Sequence, residues 1–196
     1  MRKILLLFAH PILQKSRINS AMIDAVRNVE GLTTHNLYEE YPDFFIDVKR
    51  EQQLLLEHDI IIWQHPFYWY SAPAILKEWF DLVLEHGFAY GSEGEALKGK
   101  MAMSVITTGG KKESYATGGL NSYPINQFLL PYEQSCNLCQ MTYLPPFVVH
   151  GTHLLSERGI DLLKVDYLKL MALLKDKNIG LDEIDNTMFV NQYLNE

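Results

Sequence analysis

Cysteine is nearly absent from this 196-residue sequence. Only Cys136 and Cys139 occur, which excludes a disulfide framework and points to a reducing compartment. Positive charge is also in short supply. Lys and Arg number 17 against 24 Asp and Glu, for a net charge of −7. That balance argues against nucleic acid as a partner, and an anionic membrane surface repels such a chain on average. No apolar run approaches the ~20 residues of a transmembrane helix. The opening "MRKILLLFAH" imitates a secretory signal, but its apolar run ends after Ala9, and His10-Pro11 makes a poor cleavage site. Repeats, low-complexity tracts and internal linkers are missing. So is any G-x-G-x-x-G, which excludes a separate Rossmann nicotinamide domain. The expectation is a soluble, cytoplasmic protein of one domain.

What is present is an alternation of two periodicities. "KILLLFA" (3–9), "DIIIWQ" (59–64) and "KMAMSVITT" (100–108) are continuously apolar, as strands buried on both faces should be. "LTTHNLY" (32–38) reads as a further strand, and "MTYLPPFVVH" as a fifth, interrupted by Pro145-Pro146. Between them run helical spacings. One face carries Ile18, Met22, Val26 and Val29; a polar helix covers 49–56; another carries Ile75, Trp79 and Val83 behind a Ser71 N-cap. Residues 122–140 read as a helix, and a last one begins near Ser156 with Ile160, Leu163, Tyr167, Leu170 and Leu174 in phase. Alternating apolar strands and helices make an α/β fold. The simplest version is a flavodoxin-like, doubly wound, five-stranded parallel sheet with helices on both faces. It would span 1–178 and leave a polar tail, 179–196, with no assigned structure.

In open α/β sheets ligands bind outside the carboxyl ends of the strands. After the first strand comes "HPILQKSRIN", a loop that ends at a helix N-terminus, where free N–H groups suit a phosphate. After the third comes "HPFYWYSAP", four aromatic rings between two prolines. After the fourth comes "TTGGKKESY", whose glycines let backbone amides approach a flat ligand. An anion cradle, an aromatic wall and an amide shelf at one edge fit flavin mononucleotide. Taken singly, each loop also has a plain reading: a capped helix, a packing or subunit contact, and a turn.

The motifs "FAHP" with Ser16 and Asn19, "HPFYWYSAPAILKEWFD" and "ITTGGKKESY" resemble the flavodoxin-like NAD(P)H:quinone oxidoreductases. Together with "LYEEYPDFFID" and "HGFAYG", they are most similar to the ancillary proteins of glutathione-gated potassium-efflux antiporters, from residue 3 to about 175. The resemblance implies non-covalent FMN, with FAD as the alternative, NAD(P)H as co-substrate, and two-electron ping-pong reduction of a quinone. It also implies a homodimer with sites at the subunit interface. His10, Ser16, Arg17, Ile18 and Asn19 would surround the flavin phosphate. Phe67, Tyr68, Trp69 and Tyr70 would hold the ring, with Trp69 stacking, while Thr107, Thr108, Gly109 and Gly110 line its pyrimidine end. Tyr115 falls where the family places a catalytic phenol. The histidine that larger members carry six residues further on is Asn121 here, so a tyrosine–histidine relay is not implied.

A second reading follows from the same resemblance. The chain would be a regulatory subunit of a membrane antiporter, peripheral at the inner face of the membrane, with the flavin as a structural or redox-sensing part. A third is a thiol redox role for "CNLC", set against by its position at the far end of a helix rather than after the first strand. His150 and His153 lack a third ligand and define no zinc site.

Overall fold

A computed structural model describes residues 1–177 and 189–194. Five parallel strands, β1 (Ile4–Phe8), β2 (Leu32–Asn36), β3 (Ile60–Pro66), β4 (Met101–Thr107) and β5 (Thr142–Val149), form one sheet in the order β2-β1-β3-β4-β5. This is the flavodoxin-like order, with β1 and β3 at the switch point. The continuous apolar runs serve two cores at once. Leu5, Leu7, Ile61 and Trp63 face one layer, where α3 (Val48–Glu57), α4 (Ala74–Val83) and α6 (Leu130–Leu138) contribute Leu55, Trp79 and Tyr132. Ile4, Leu6, Ile60 and Ile62 face the other, against Met22 and Val26 of α1 (Arg17–Val26) and Tyr167, Leu170 and Leu174 of α7 (Glu157–Lys175).

Several boundaries differ from the sequence expectation, each for a local reason. β2 ends at Asn36, and residues 37–40 form a helical turn, α2 (Leu37–Glu40), which turns Leu37 into the core. The helix expected over 122–140 is two pieces, α5 (Ile125–Phe128) and α6. Pro131 lies at the start of α6; it lacks an N–H and clashes with the carbonyl four residues back, so it ends one helix and begins the next. Pro145-Pro146 does not interrupt β5. The register steps from Met103↔Leu144 to Val105↔Phe147, so the two prolines share one opposing residue in a bulge. β5 is an edge strand, where the missing donors are tolerated. Ser71 does not cap α4, which starts after Pro73; the Ser71 N–H instead closes a turn onto the Tyr68 carbonyl (3.0 Å).

Part of the tail is placed. Val190 is fully buried against the α1/α7 layer, at the head of α8 (Val190–Tyr193). The Asn191 side chain accepts from the Val148 N–H (2.9 Å) and donates to its carbonyl (3.3 Å), covering the outer edge of β5. Residues 179–188 and 195–196 of the expected tail lie outside the described residues.

Candidate functional site

A cleft of about 540 Å³ opens at the carboxyl edge of the sheet, over β1, β3 and β4. Its first wall is the β1–α1 loop. Ser16 caps α1, its Oγ accepting from the Asn19 N–H (3.2 Å) and from Asn19 Nδ2 (3.1 Å). The N–H groups of Arg17 and Ile18 make no hydrogen bond among the described residues and stand at the positive end of the helix. The Arg17 guanidinium is engaged elsewhere, with Glu157 (2.8 Å) and the Leu155 carbonyl (3.1 Å), so its contribution to the cleft is the backbone amide. His10 is nearly buried. Burial holds its pKa below the ordinary histidine value, and its Nδ1 accepts from the Ile12 N–H (3.1 Å), which leaves Nε2–H as a donor.

The second wall is aromatic. Phe67 and Tyr68 line the cleft, with the edge of Tyr68 against the His10 ring (6.1 Å, 64°). Trp69 and Tyr70 do not line it. They form the tip of a tight turn between the bridged residues Tyr68 and Ser71, with φ of 50° and 62°. Two consecutive non-glycine residues in the left-handed region are costly, about 1–2 kcal/mol each. At the tip, Trp69 is 94% exposed. Tyr70 is half-exposed and stacks on Phe128 (5.4 Å, 23°). Among the described residues the N–H groups of Trp69 and Tyr70 make no hydrogen bond. Backbone strain here holds two amides and an indole clear of the protein.

The third wall combines Thr107 and Gly109 from β4 and the loop after it with Thr152 and His153 from beyond β5. A Cβ at Gly109 would stand 3.2 Å from His153, and one at Gly110 would stand 3.0 Å from the Tyr115 ring. A larger residue at either position would therefore press on the His153 or Tyr115 side chain and require it to shift. Thr108 is buried and donates to the Gly110 carbonyl (2.8 Å), shaping the loop from behind. Gly110 and Tyr115 lie behind the cleft wall, where the Tyr115 ring meets Phe67 edge-on (5.9 Å). Burial raises the phenol's pKa, against a hydrogen bond with Thr108 that lowers it, so Tyr115 remains a neutral donor. Asn121 is turned to the Tyr70 hydroxyl (3.3 Å).

The structure thus brings together His10, Ser16, Arg17, Ile18, Asn19, Phe67, Tyr68, Thr107 and Gly109, and leaves Trp69, Tyr70, Thr108, Gly110 and Tyr115 outside the lining. Pro11, Ile12, Lys15 and Pro66, from the two loops expected there but not singled out, also line the cleft, as do Thr152 and His153 from a loop that was not expected. The last two follow the end of β5, which neighbours β4 and meets the same edge. Cys136 and Cys139 are both buried on the α6 side, where burial pushes both thiols up, against thiolate reactivity. Among the described residues no group of three His, Cys, Asp or Glu is placed to hold a metal.

A family model described as a flavodoxin-like fold matches residues 2–170. The chain belongs to that family. This flavodoxin-like chain is 51% identical over 148 residues to the glutathione-regulated potassium-efflux system ancillary protein KefG of Serratia proteamaculans, covering 76% of the chain and 81% of that relative. Among solved structures it is similar to general stress protein 14 of Treponema denticola in complex with FMN, with TM-score 0.84, 36% identity, and 88% and 99% of the two chains covered. It is also similar to an NADPH-quinone reductase from P. pentosaceus, with TM-score 0.80, 34% identity, and 91% and 99% covered. No helix among the described residues is long and apolar enough to cross a membrane.

Proposed function

We propose that this chain binds FMN in the cleft without covalent attachment and catalyses two-electron reduction of quinones by NAD(P)H. The observation that carries the reading is the convergence, at one sheet edge, of unpaired donors, an aromatic wall and the close-approach glycine Gly109. The residues fit the cofactor. The N–H groups of Arg17 and Ile18, the hydroxyls of Ser16 and Thr107 and the His10 Nε2–H would hold the phosphate. Phe67 and Tyr68 offer ring faces, worth about 0.5–1.5 kcal/mol each beyond area burial. When bound, FMN supplies the hydride chemistry, accepting from a nicotinamide and passing on to a quinone.

The protein's part is electrostatic and geometric. The free amides of Trp69 and Tyr70, in the turn that follows the lining residue Tyr68, would offer preformed donors to negative charge on a bound ring. Tyr115, a neutral phenol against Gly110, would supply a hydrogen-bond donor on that side. A ring contact from Trp69, at the tip of its turn, would close the site. The exposed Trp69, Tyr70, Leu120 and Tyr123 support a homodimer in which a second subunit covers this rim. FAD would need the same anion cradle; the similar general stress protein 14 in complex with FMN favours FMN.

The likeness to KefG favours a second role alongside the first: an ancillary subunit of a potassium-efflux antiporter, working at the cytoplasmic face of the membrane through that partner. Steady-state kinetics test the enzymatic reading. Varying NAD(P)H at several fixed quinone concentrations should give parallel double-reciprocal lines, because both substrates would use one site in turn. A flavin-loaded protein without turnover, but able to raise antiporter activity in membranes, would leave the ancillary role alone.

A further inference from the structure

Beneath the cleft a ladder of buried polar side chains crosses from α7 to the floor of the site. Tyr167 Oη donates to Gln64 Oε1 (2.7 Å), and Gln64 Nε2 donates to Asn19 Oδ1 (3.3 Å). Asn19 Nδ2 then donates to Thr107 Oγ1 and to Ser16 Oγ, both at 3.1 Å. Tyr167 and Gln64 are fully inaccessible, and Asn19 and Thr107 nearly so. Packing does not dictate a polar side chain at position 64. On the same face of β3, Ile60 and Ile62 pack against this layer without polar atoms. A leucine at 64 would fill the core without the desolvation cost of an amide.

The ladder has a direction. Ser16 Oγ accepts from both the N–H and the Nδ2 of Asn19, so both lone pairs are used and its own proton must go outward. Thr107 Oγ1 also accepts from Asn19. Among the described residues neither hydroxyl donates to a protein group, and both residues line the cleft. If both amides were reversed, Asn19 would present its oxygen to these hydroxyls and draw their protons away from the cleft. The Tyr167 hydroxyl opposes that reversal by fixing Gln64 Oε1 toward itself.

We propose that Gln64 and Tyr167 are positioning residues which, through Asn19, hold the hydroxyls of Ser16 and Thr107 as outward donors, so that the cleft prefers an acceptor-only phosphate monoester to the same ligand without its phosphate. This rests on the flavin reading, and the two separate in one experiment. Wild type, Tyr167→Phe and the double variant Gln64→Met/Tyr167→Phe are titrated with FMN, riboflavin and inorganic phosphate, and the ligand-free proteins are melted. The double variant replaces both ends of the Tyr167–Gln64 bond with apolar groups of similar size and leaves Asn19 Oδ1 without its donor, and the melting curves check that the fold persists. Both variants should bind FMN about tenfold more weakly and riboflavin as tightly as wild type. An equal loss for both flavins, or no loss for either, overturns the ladder and leaves the flavin reading standing. If wild type ignores FMN but is stabilised by phosphate, and Tyr167→Phe abolishes that stabilisation, the flavin reading fails and the ladder stands. Wild type indifferent to FMN and phosphate alike overturns both.

Discussion

Tyr115 and His65 show how burial sets a side chain's proton for opposite purposes. In Tyr115 it preserves a neutral phenol beside Gly110. Tyr115→Phe keeps the ring contact with Phe67 and removes one hydrogen bond. If that bond goes to developing negative charge, the loss is about 1.5–3 kcal/mol. Stopped-flow reduction by NAD(P)H should then slow about ten- to a hundredfold. Unchanged rates in both half-reactions would make Tyr115 a packing residue. His65 is fully buried at the end of β3, donating from Nδ1 to the Pro66 carbonyl (3.0 Å), and burial lowers its pKa from 6.5 to about 4. The unfolded chain takes up this proton near pH 6.5 and the folded chain does not. Stability is therefore complete above pH 6.5 and falls as pH drops toward 4, by about 3 kcal/mol in all. Denaturant unfolding of His65→Asn across that range should lack this part of the slope; a slope identical to wild type contradicts the assignment.

At the scale of elements, the turn at residues 68–71 carries the sharpest trade. Asn accepts positive φ more readily than Trp, and the Trp69 side chain contributes almost no buried area. Trp69→Asn should leave the flavin-free protein equally stable or more stable, by up to about 1 kcal/mol, while weakening FMN retention. A clear drop in the melting temperature of the flavin-free protein would mean the indole packs in the fold. The turn itself was only half legible in the sequence. Two prolines marked "HPFYWYSAP" as a connection, but nothing in the residue types announced left-handed backbone at Trp69 and Tyr70, because aromatic residues rarely adopt it. Continuous apolar strands and capped helices were legible because burial on both faces and 3.6-residue spacing leave direct marks. Pro145-Pro146 misled, since a bulge on an edge strand depends on strand order, which local sequence does not encode. Glu51 misled as well. In a helix read as polar, it is fully buried and accepts from Tyr41 Oη (2.5 Å) and Trp79 Nε1 (2.7 Å), paired with His35 Nε2 (2.8 Å).

The whole molecule explains why these distant segments meet. With β1 and β3 adjacent and diverging in connection, the loops after β1, β3, β4 and β5 share one edge. The first three loops were readable as a site because each followed a strand end. Thr152 and His153 were not, because the sequence marks them only as a short loop after an irregular strand. The buried ladder was invisible for a related reason: Gln64 and Tyr167 stand 103 residues apart, and only the sheet brings them together. The proposed function requires that this edge bind a flavin that shuttles between two substrates. Its most direct test is a single-turnover experiment on purified protein loaded with FMN and freed of unbound cofactor. Under anaerobic conditions, one equivalent of NAD(P)H should bleach the oxidised-flavin absorption, and one equivalent of a soluble quinone should then restore it. A protein that retains no FMN, or a bound flavin that NAD(P)H does not bleach, contradicts the account.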